Sequence, residues 1–392
     1  MLKLAPKLKA ILAQEYPRFS DREYARRHKA LAAAMGKAGA DALLVVTESR
    51  SGNATQWVTG WPGSAEALTV FRPGEKMWMS VEWVNHAPLA QHMCPHMDVE
   101  WGEHRGLEKA VAQLKRHGAK RVGVIGPLRV PRFRALEQQF EVVALDREYA
   151  RLRMIKSDEE LDWLRIGAAM SDAGLAALMA GTKPGVTERE LSAACESAYI
   201  KHGGTNMIHY IGVTPMAKPE IFAPRQHPSP RKVKKGDIVS CEISAFWWDY
   251  AGQVLRTYTV GADATALYRA LHETAEAAFD AVTKVVRHGT TMQEIVEATG
   301  VIEQNGFTIC DDLMHGFGGG YFQPILGTKS RPAGPLPDMT LEENMTVVVQ
   351  PNVTTRAESG KRRAGVQVGE MIRVTRTGFE RMHATRRGLF RI

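Results

Sequence analysis

A handful of polar side chains interrupts apolar stretches in the C-terminal half of the chain. Glu242 stands in GDIVSCEISAFWWDYAGQVLRTYTVG, and Gln253 follows it eleven positions later. His315 opens HGFGGGYF, Gln350 ends the run TVVVQ, and Gly369 sits in GVQVGEMIRVT. A carboxylate such as Glu242 can pair with a cationic or amidine group, and each glutamine amide both donates and accepts hydrogen bonds. His227, in PRQHPSPRKVKKGD, offers an imidazole able to carry protons near neutral pH. The Tyr321 hydroxyl adds a donor, and Trp247, Trp248 and Tyr250 can form an aromatic wall. Plainer readings stand beside these: His227 as a surface-loop histidine, Tyr321 as wall packing, Gly318–Gly320 as a tight turn, Arg256 as a brace within the sheet.

These residues need a scaffold, and the periodicities outline one. Up to about residue 150 helices and strands alternate. A helical pattern over Arg22–Lys37 is followed by the strand Asp41–Val46, a hairpin joins Ala67–Phe71 to Lys76–Val81, and a helix over Gly106–His117 precedes the strand Arg121–Ile125. A helix near Pro131–Gln139 and a strand at Glu141–Leu145 complete a small mixed α/β domain. Ser157 with Glu160, and Thr187 with Glu190, have capping-box spacing and start two further helices, the first running to Gly181. Strands are expected at Asn206–Val213, Asp237–Phe246 and Gln253–Val260, and helices at Thr265–Arg287 and Thr291–Asn305. Strands over Thr346–Gln350, Ala364–Val368 and Glu370–Thr375 close the chain. The domains are thus 1–153 and 154–392.

The order, spacing and flanks of the C-terminal stretches resemble the creatinase / aminopeptidase P / prolidase superfamily, the pita-bread hydrolases. Arg151–Glu160 is similar to the linker and helix entering that catalytic domain. The resemblance implies an α+β fold: a small mixed α/β creatinase-like N-terminal domain and a C-terminal pita-bread catalytic domain. Where the superfamily's metallopeptidases carry Asp, Asp, His, Glu and Glu, this chain has Glu242, Gln253, His315, Gln350 and Gly369. Two divalent cations carry four positive charges, and one carboxylate with amides does not balance them. No metal and no cofactor are therefore expected. Glu370 adjoins the last ligand position, but a one-residue shift on a strand points it to the other face. Creatinase implies a metal-free precedent, with a histidine upstream of the GD strand as acid and base, and His227 is the candidate here. The histidine usual seven positions after the first is replaced by Phe322, beside Tyr321. Trp57 and Trp61 resemble the loop that reaches the partner's active site in creatinase-like dimers.

The resulting expectation is a cytoplasmic, homodimeric, metal-independent hydrolase of a non-peptide C–N bond in a small polar metabolite. His227, Glu242 and His315 are its catalytic residues, and Gln253, Gln350, Tyr321, Trp248 and Trp61 bind substrate. The alternatives are an aminopeptidase- or prolidase-type metallohydrolase with atypical ligands, a lyase on the same scaffold, or a non-catalytic binding protein. Composition agrees with a soluble chain: 392 residues, 44% hydrophobic and 24% charged, with no apolar run long enough to span a membrane. The opening MLKLAPKLKAILAQEYPRF reads as a leading helix or arm. The net charge of +8 is dispersed, and its densest clusters, Arg231–Lys235 and Lys361–Arg363, read as solvated loops, so no nucleic-acid partner is expected. The four cysteines form no CxxC pair, which fits free thiols. His92, Cys94 and His96 on an extended segment can face one way, but they lack a fourth ligand.

Overall fold

A computed structural model describes residues 2–49, 51–358 and 362–392, so Lys361 of the second basic cluster lies outside the described residues. The chain divides into two compact units: Gln14–Arg153, and Met154–Ile392 joined by the segment up to Ala13. The architecture is the α+β, two-unit one expected. The leading segment differs from the expected boundary, because it packs with the C-terminal unit. Its helix Pro6–Leu12 buries Leu8, and Lys7 reaches Asp162 at 2.5 Å. No helix among the described residues is long and apolar enough to cross a membrane.

The N-terminal unit is a six-stranded mixed sheet in the order Asp98–Trp101, Trp78–Val81, Ala67–Phe71, Ala42–Thr47, Arg121–Ile125, Glu141–Ala144. The central strand ALLVVT is buried along its whole length, because apolar clusters cover both of its faces. The helix Asp21–Ala38 begins on the Ser20 cap and stops at Gly39, whose left-handed backbone (φ 66°) suits glycine. Two short helices, Ala54–Thr59 and Ala87–Met93, were not anticipated. The second removes the extended geometry considered for His92, Cys94 and His96. Cys94 donates to the Thr59 carbonyl at 3.3 Å, while His96 meets Arg18 and His92 packs on Tyr16.

In the C-terminal unit both capping boxes form, opening the helices Asp158–Gly181 and Glu188–Ser197. A nine-stranded sheet carries the chemistry. Seven strands run in the order Tyr321–Leu326, Met314–Phe317, Thr346–Val349, Gly369–Val374, Tyr250–Thr259, Asp237–Trp247 and Thr205–Pro215. Phe379–Arg381 pairs with Gly369–Val374, and Phe390–Arg391 with Tyr250–Thr259. The expected bend after Trp247 is a tight hairpin, with Trp248 and Asp249 both at positive φ. The long helix presses onto this hairpin: a Cβ at Gly252 would lie 2.6 Å from that of Ala168. The helix expected over Thr291–Asn305 is broken into Met292–Ala298 and Gly300–Gln304, and no continuous strand forms at Ala364–Val368.

Register then selects one face. Tyr210 pairs with Glu242, Glu242 with Leu255 and Ser244 with Gln253, so Glu242 and Gln253 are diagonal neighbours on the same side. Gly369 pairs with Leu255 and His315 with Val348, which extends that face across the sheet. Glu370 points the opposite way, into Arg256, as strand alternation requires.

Candidate active site

On this face the polar residues form a continuous buried hydrogen-bond chain. Gln253 Nε2 donates to Glu242 Oε1 at 2.8 Å and to Gln350 Oε1 at 3.2 Å. Gln350 Nε2 donates in turn to Asp312 Oδ1. Asp312 Oδ2 accepts from His315 Nδ1 at 2.9 Å and from the Tyr321 hydroxyl. The acceptors at both ends fix the sense of the amides between them. The Tyr321 ring stacks on His315 with centroids 4.1 Å apart, and Phe317 meets the imidazole edge-on. Two buried atoms in the cluster lack a partner among the described residues: His315 Nε2 and Gln253 Oε1. Such orphans mark places where water or a ligand completes the bonding.

The electrostatics divide the acids into two kinds. Burial, reinforced by the charges of Asp311 and Asp312, pushes the Glu242 carboxyl up to about 8, so its protonated form predominates at about pH 7. Burial also acts to raise Asp312, but hydrogen bonds from His315, Tyr321 and Gln350 and the charge of His315 outweigh it. They hold Asp312 below its ordinary value. With Nδ1–H directed at that carboxylate, the deprotonated form of the imidazole presents a lone pair at Nε2. Tyr210 adds a phenol whose ionisation is opposed by burial and by Glu242 and Asp311.

These residues do not fit the metal pair of the superfamily. Amide N–H groups lie between the oxygens that would have to coordinate, and Asp312 is saturated with donors. At Gly369 any side chain would run into the neighbouring strand: its Cβ would strike the Val349 carbonyl and lie 2.8 Å from Gln350 Cα. The fifth ligand position is therefore occupied by backbone. Among the described residues no group of three or more His, Cys, Asp or Glu is arranged to hold a metal ion.

The structure brings Glu242, Gln253, His315, Gln350 and Tyr321 together, and it separates the others. His227 is exposed on the loop between Thr205–Pro215 and Asp237–Trp247, with no hydrogen bond among the described residues. Trp248 lies at the hairpin tip, six residues beyond Glu242 and so roughly 20 Å along the strand, and four beyond Ser244, which pairs with Gln253, roughly 13 Å. Trp61 is buried in the core of the N-terminal unit and is not an exposed arm residue. Tyr321 is half exposed, and its hydroxyl is committed to Asp312, so it is not a free oxyanion donor. Gly318, Gly319 and Gly320 all have positive φ and serve a tight turn. Arg256 braces the sheet as expected, donating to Glu370 at 2.6 Å and to the Gly369 carbonyl at 2.7 Å. Asp312, Asp311 and Tyr210 escaped the sequence reading. The acidic pair shortly before His315 was the available signal for the first two.

Comparison with known proteins agrees with this architecture. The model of metallopeptidase family M24 matches residues 162–376, and that of the creatinase/prolidase N-terminal domain matches residues 27–155. An uncharacterized hydrolase/peptidase of Sinorhizobium fredii is 26% identical over 279 residues, covering 68% of this chain and 67% of its own. A methionine aminopeptidase of Staphylococcus epidermidis is 28% identical over 214 residues, 52% of this chain and 83% of that protein. Among solved structures, an Xaa-Pro dipeptidase from Bacillus anthracis superposes with a TM-score of 0.79 at 20% identity, covering 94% of this chain and all of that one. The prolidase from Pyrococcus horikoshii gives 0.76 at 19% identity, covering 93% and 99%. The two structural likenesses speak for the fold. The family model spans more than half of the chain, and the protein belongs to metallopeptidase family M24, within the creatinase / aminopeptidase P / prolidase superfamily of hydrolases.

Proposed function

We propose that the protein hydrolyses an amide C–N bond in a small, polar, dipeptide-like substrate through its own side chains, without a metal pair. The observation that carries this reading is the buried His315, tied to Asp312 through Nδ1 and unpartnered at Nε2, on the same sheet face as a neutral Glu242. His315 Nε2 takes a proton from water as the water oxygen bonds to the carbonyl carbon. The C–N bond breaks as Glu242 gives its proton to the leaving nitrogen, and the proton on His315 returns to Glu242 through solvent. Asp312 orients the imidazole and stabilises its charged form. His227, expected as the acid/base, has no part in this scheme.

The relatives are named peptidases, a dipeptidase and a prolidase, which favours the peptide-type alternative over the non-peptide bond expected first. The ligand row argues against that alternative's metal chemistry, so the proposal keeps the bond and drops the ions. The test is turnover of a panel of dipeptides, including Xaa-Pro, and N-acyl amino acids, with phosphorylated members of each class, before and after exhaustive chelation. Activity should survive chelation and fall at least about 100-fold in His315→Asn. A stoichiometric need for manganese, zinc or cobalt overturns the metal-free reading. An absence of turnover across the panel favours the non-catalytic binding protein.

A further inference from the structure

A second feature of the C-terminal unit lies beside the polar cluster and takes no part in the scheme above. A concavity of about 280 Å³ is lined by Thr308, Ser330, Arg331, Arg356 and Arg363. Among the described residues none of these arginines forms an ion pair. Arg363 lies over the Phe222 ring, 3.8 Å from its centroid, and donates to the Thr355 carbonyl at 3.2 Å and Thr354 Oγ1 at 3.4 Å, both neutral acceptors. The side chains of Arg331 and Arg356 are exposed and make no hydrogen bond among the described residues. Several arginines of this unit rest on carboxylates, as Arg231 does on Asp237 and Arg387 on Glu276 and Asp280, whereas Arg269 and Arg362 meet single backbone carbonyls. The concavity differs in gathering three arginines without an ion pair among the described residues. The nearby Glu303 does not balance the charge, because it receives the Ser330 backbone N–H at 3.0 Å and its hydroxyl at 2.7 Å and pairs with no arginine among the described residues.

Three arginines that line one small space repel each other, and an anion between them removes that cost. The planar fork of arginine suits oxyanions. A monocarboxylate has two oxygens and one charge, which a single fork satisfies. Three forks match a group with three terminal oxygens and about two charges, as a phosphoryl group has. The position also carries meaning. Ile309 lines the same concavity and stands three residues before Asp312, and the field of Arg331 reaches Asp311. An anionic group held here lies next to the segment that leads into the polar cluster.

We propose that the Arg331–Arg356–Arg363 concavity is a subsite for a dianionic, phosphoryl-type group, so that the substrate is a phosphate-bearing amide. Its role as a substrate subsite rests on the hydrolase reading, whereas the anion binding does not. The test uses the full chain, with inorganic phosphate and acetate titrated calorimetrically at low ionic strength into wild type and the Arg331→Gln/Arg356→Gln double variant. Both side chains are exposed, so the variant should fold normally, as its unfolding midpoint will show. Phosphate should bind saturably at one site with a dissociation constant on the order of a millimolar, at least about tenfold tighter than acetate. The double variant should bind phosphate at least about tenfold more weakly, and added salt should weaken the wild type. Absent phosphate binding, equal acetate binding, or an unaffected double variant each overturns the subsite. His315→Asn separates the two proposals, because it should abolish turnover and leave phosphate affinity unchanged. Intact phosphate binding with no amide hydrolysis sinks the hydrolase reading alone, and hydrolysis without phosphate binding sinks the subsite alone.

Discussion

Glu242 is the residue at which pH should act most directly on this unit. In the unfolded chain its carboxyl titrates near its ordinary value of 4.5, whereas in the folded protein burial raises it to about 8. Between those values the folded state holds a proton that the unfolded state has released, so stability falls as pH rises through the window. Glu242→Gln keeps the shape and removes the titration. Relative to this variant, the wild type should lose on the order of 3 kcal/mol between pH 5 and pH 8, read from urea midpoints at each pH. A constant difference across that range would show that Glu242 is ionised in the folded protein. At this scale the sequence was informative wherever spacing along strands decides the face. Glu242, Gln253, His315 and Gln350 converge because strand alternation and register place them on one side. Asp312 could not be found that way: it precedes the strand Met314–Phe317, and its role follows from long-range partners such as Gln350. His227 had a suggestive chain position, but a loop has no period to say where its side chain points.

The loop that carries His227 is held by a side chain on a helix whose start was legible but whose tertiary role was not. Glu188, first residue of the helix Glu188–Ser197, is fully buried, and its carboxylate accepts from Val213 N at 3.0 Å, Arg225 Nη1 at 2.7 Å, and Ser229 N and Oγ at 2.9 and 2.5 Å. It therefore fastens the loop on both sides of His227 and ties it to the edge strand. Glu188→Ala leaves several of these donors unsatisfied, and each buried orphan costs about 1–3 kcal/mol. The variant should lose about 3 kcal/mol of stability, and hydrogen exchange should accelerate over residues 213–233 while the hairpin Asp237–Thr259 stays protected. Unchanged exchange in the loop would mean that packing on Gly212 and Gly365 holds it instead. Helix starts were readable here because a capping box is local, as Ser157–Glu160 and Thr187–Glu190 show. The break between Ala298 and Gly300 and the irregular course over Ala364–Val368 were not readable. At the first the Thr299 hydroxyl donates to the Val296 carbonyl at 2.7 Å, and the second depends on distant backbone, Gly365 against Phe222.

For the whole molecule, the sequence boundary near residue 153 separates two textures, yet the chain before Ala13 belongs with the far unit. Composition could not reveal that, because a short basic and apolar segment has no core of its own and takes its place from what it packs on. Leu2 and Leu8 are each 7% exposed, and the segment lies along Ala169, Ala173 and Ala176 of the long helix. The Lys7–Asp162 pair adds little, since Lys7 is mostly exposed and such pairs contribute about 0–1 kcal/mol. The two leucines matter more, at about 1.5–3 kcal/mol each before the entropy of ordering the segment is subtracted. Removing residues up to Ala13 should therefore destabilise the C-terminal unit by on the order of 2 kcal/mol. The effect should appear as faster hydrogen exchange along Asp158–Gly181, with protection in Gln14–Arg153 unchanged. That helix presses on the hairpin bearing Glu242 and Gln253, through Ala168 against Gly252. Loosening it should then widen the spacing of the Gln253 hydrogen bonds and lower turnover without altering phosphate affinity, because the arginine concavity is built from other segments. Equal loss of protection in both units would instead assign the segment a role in the fold as a whole.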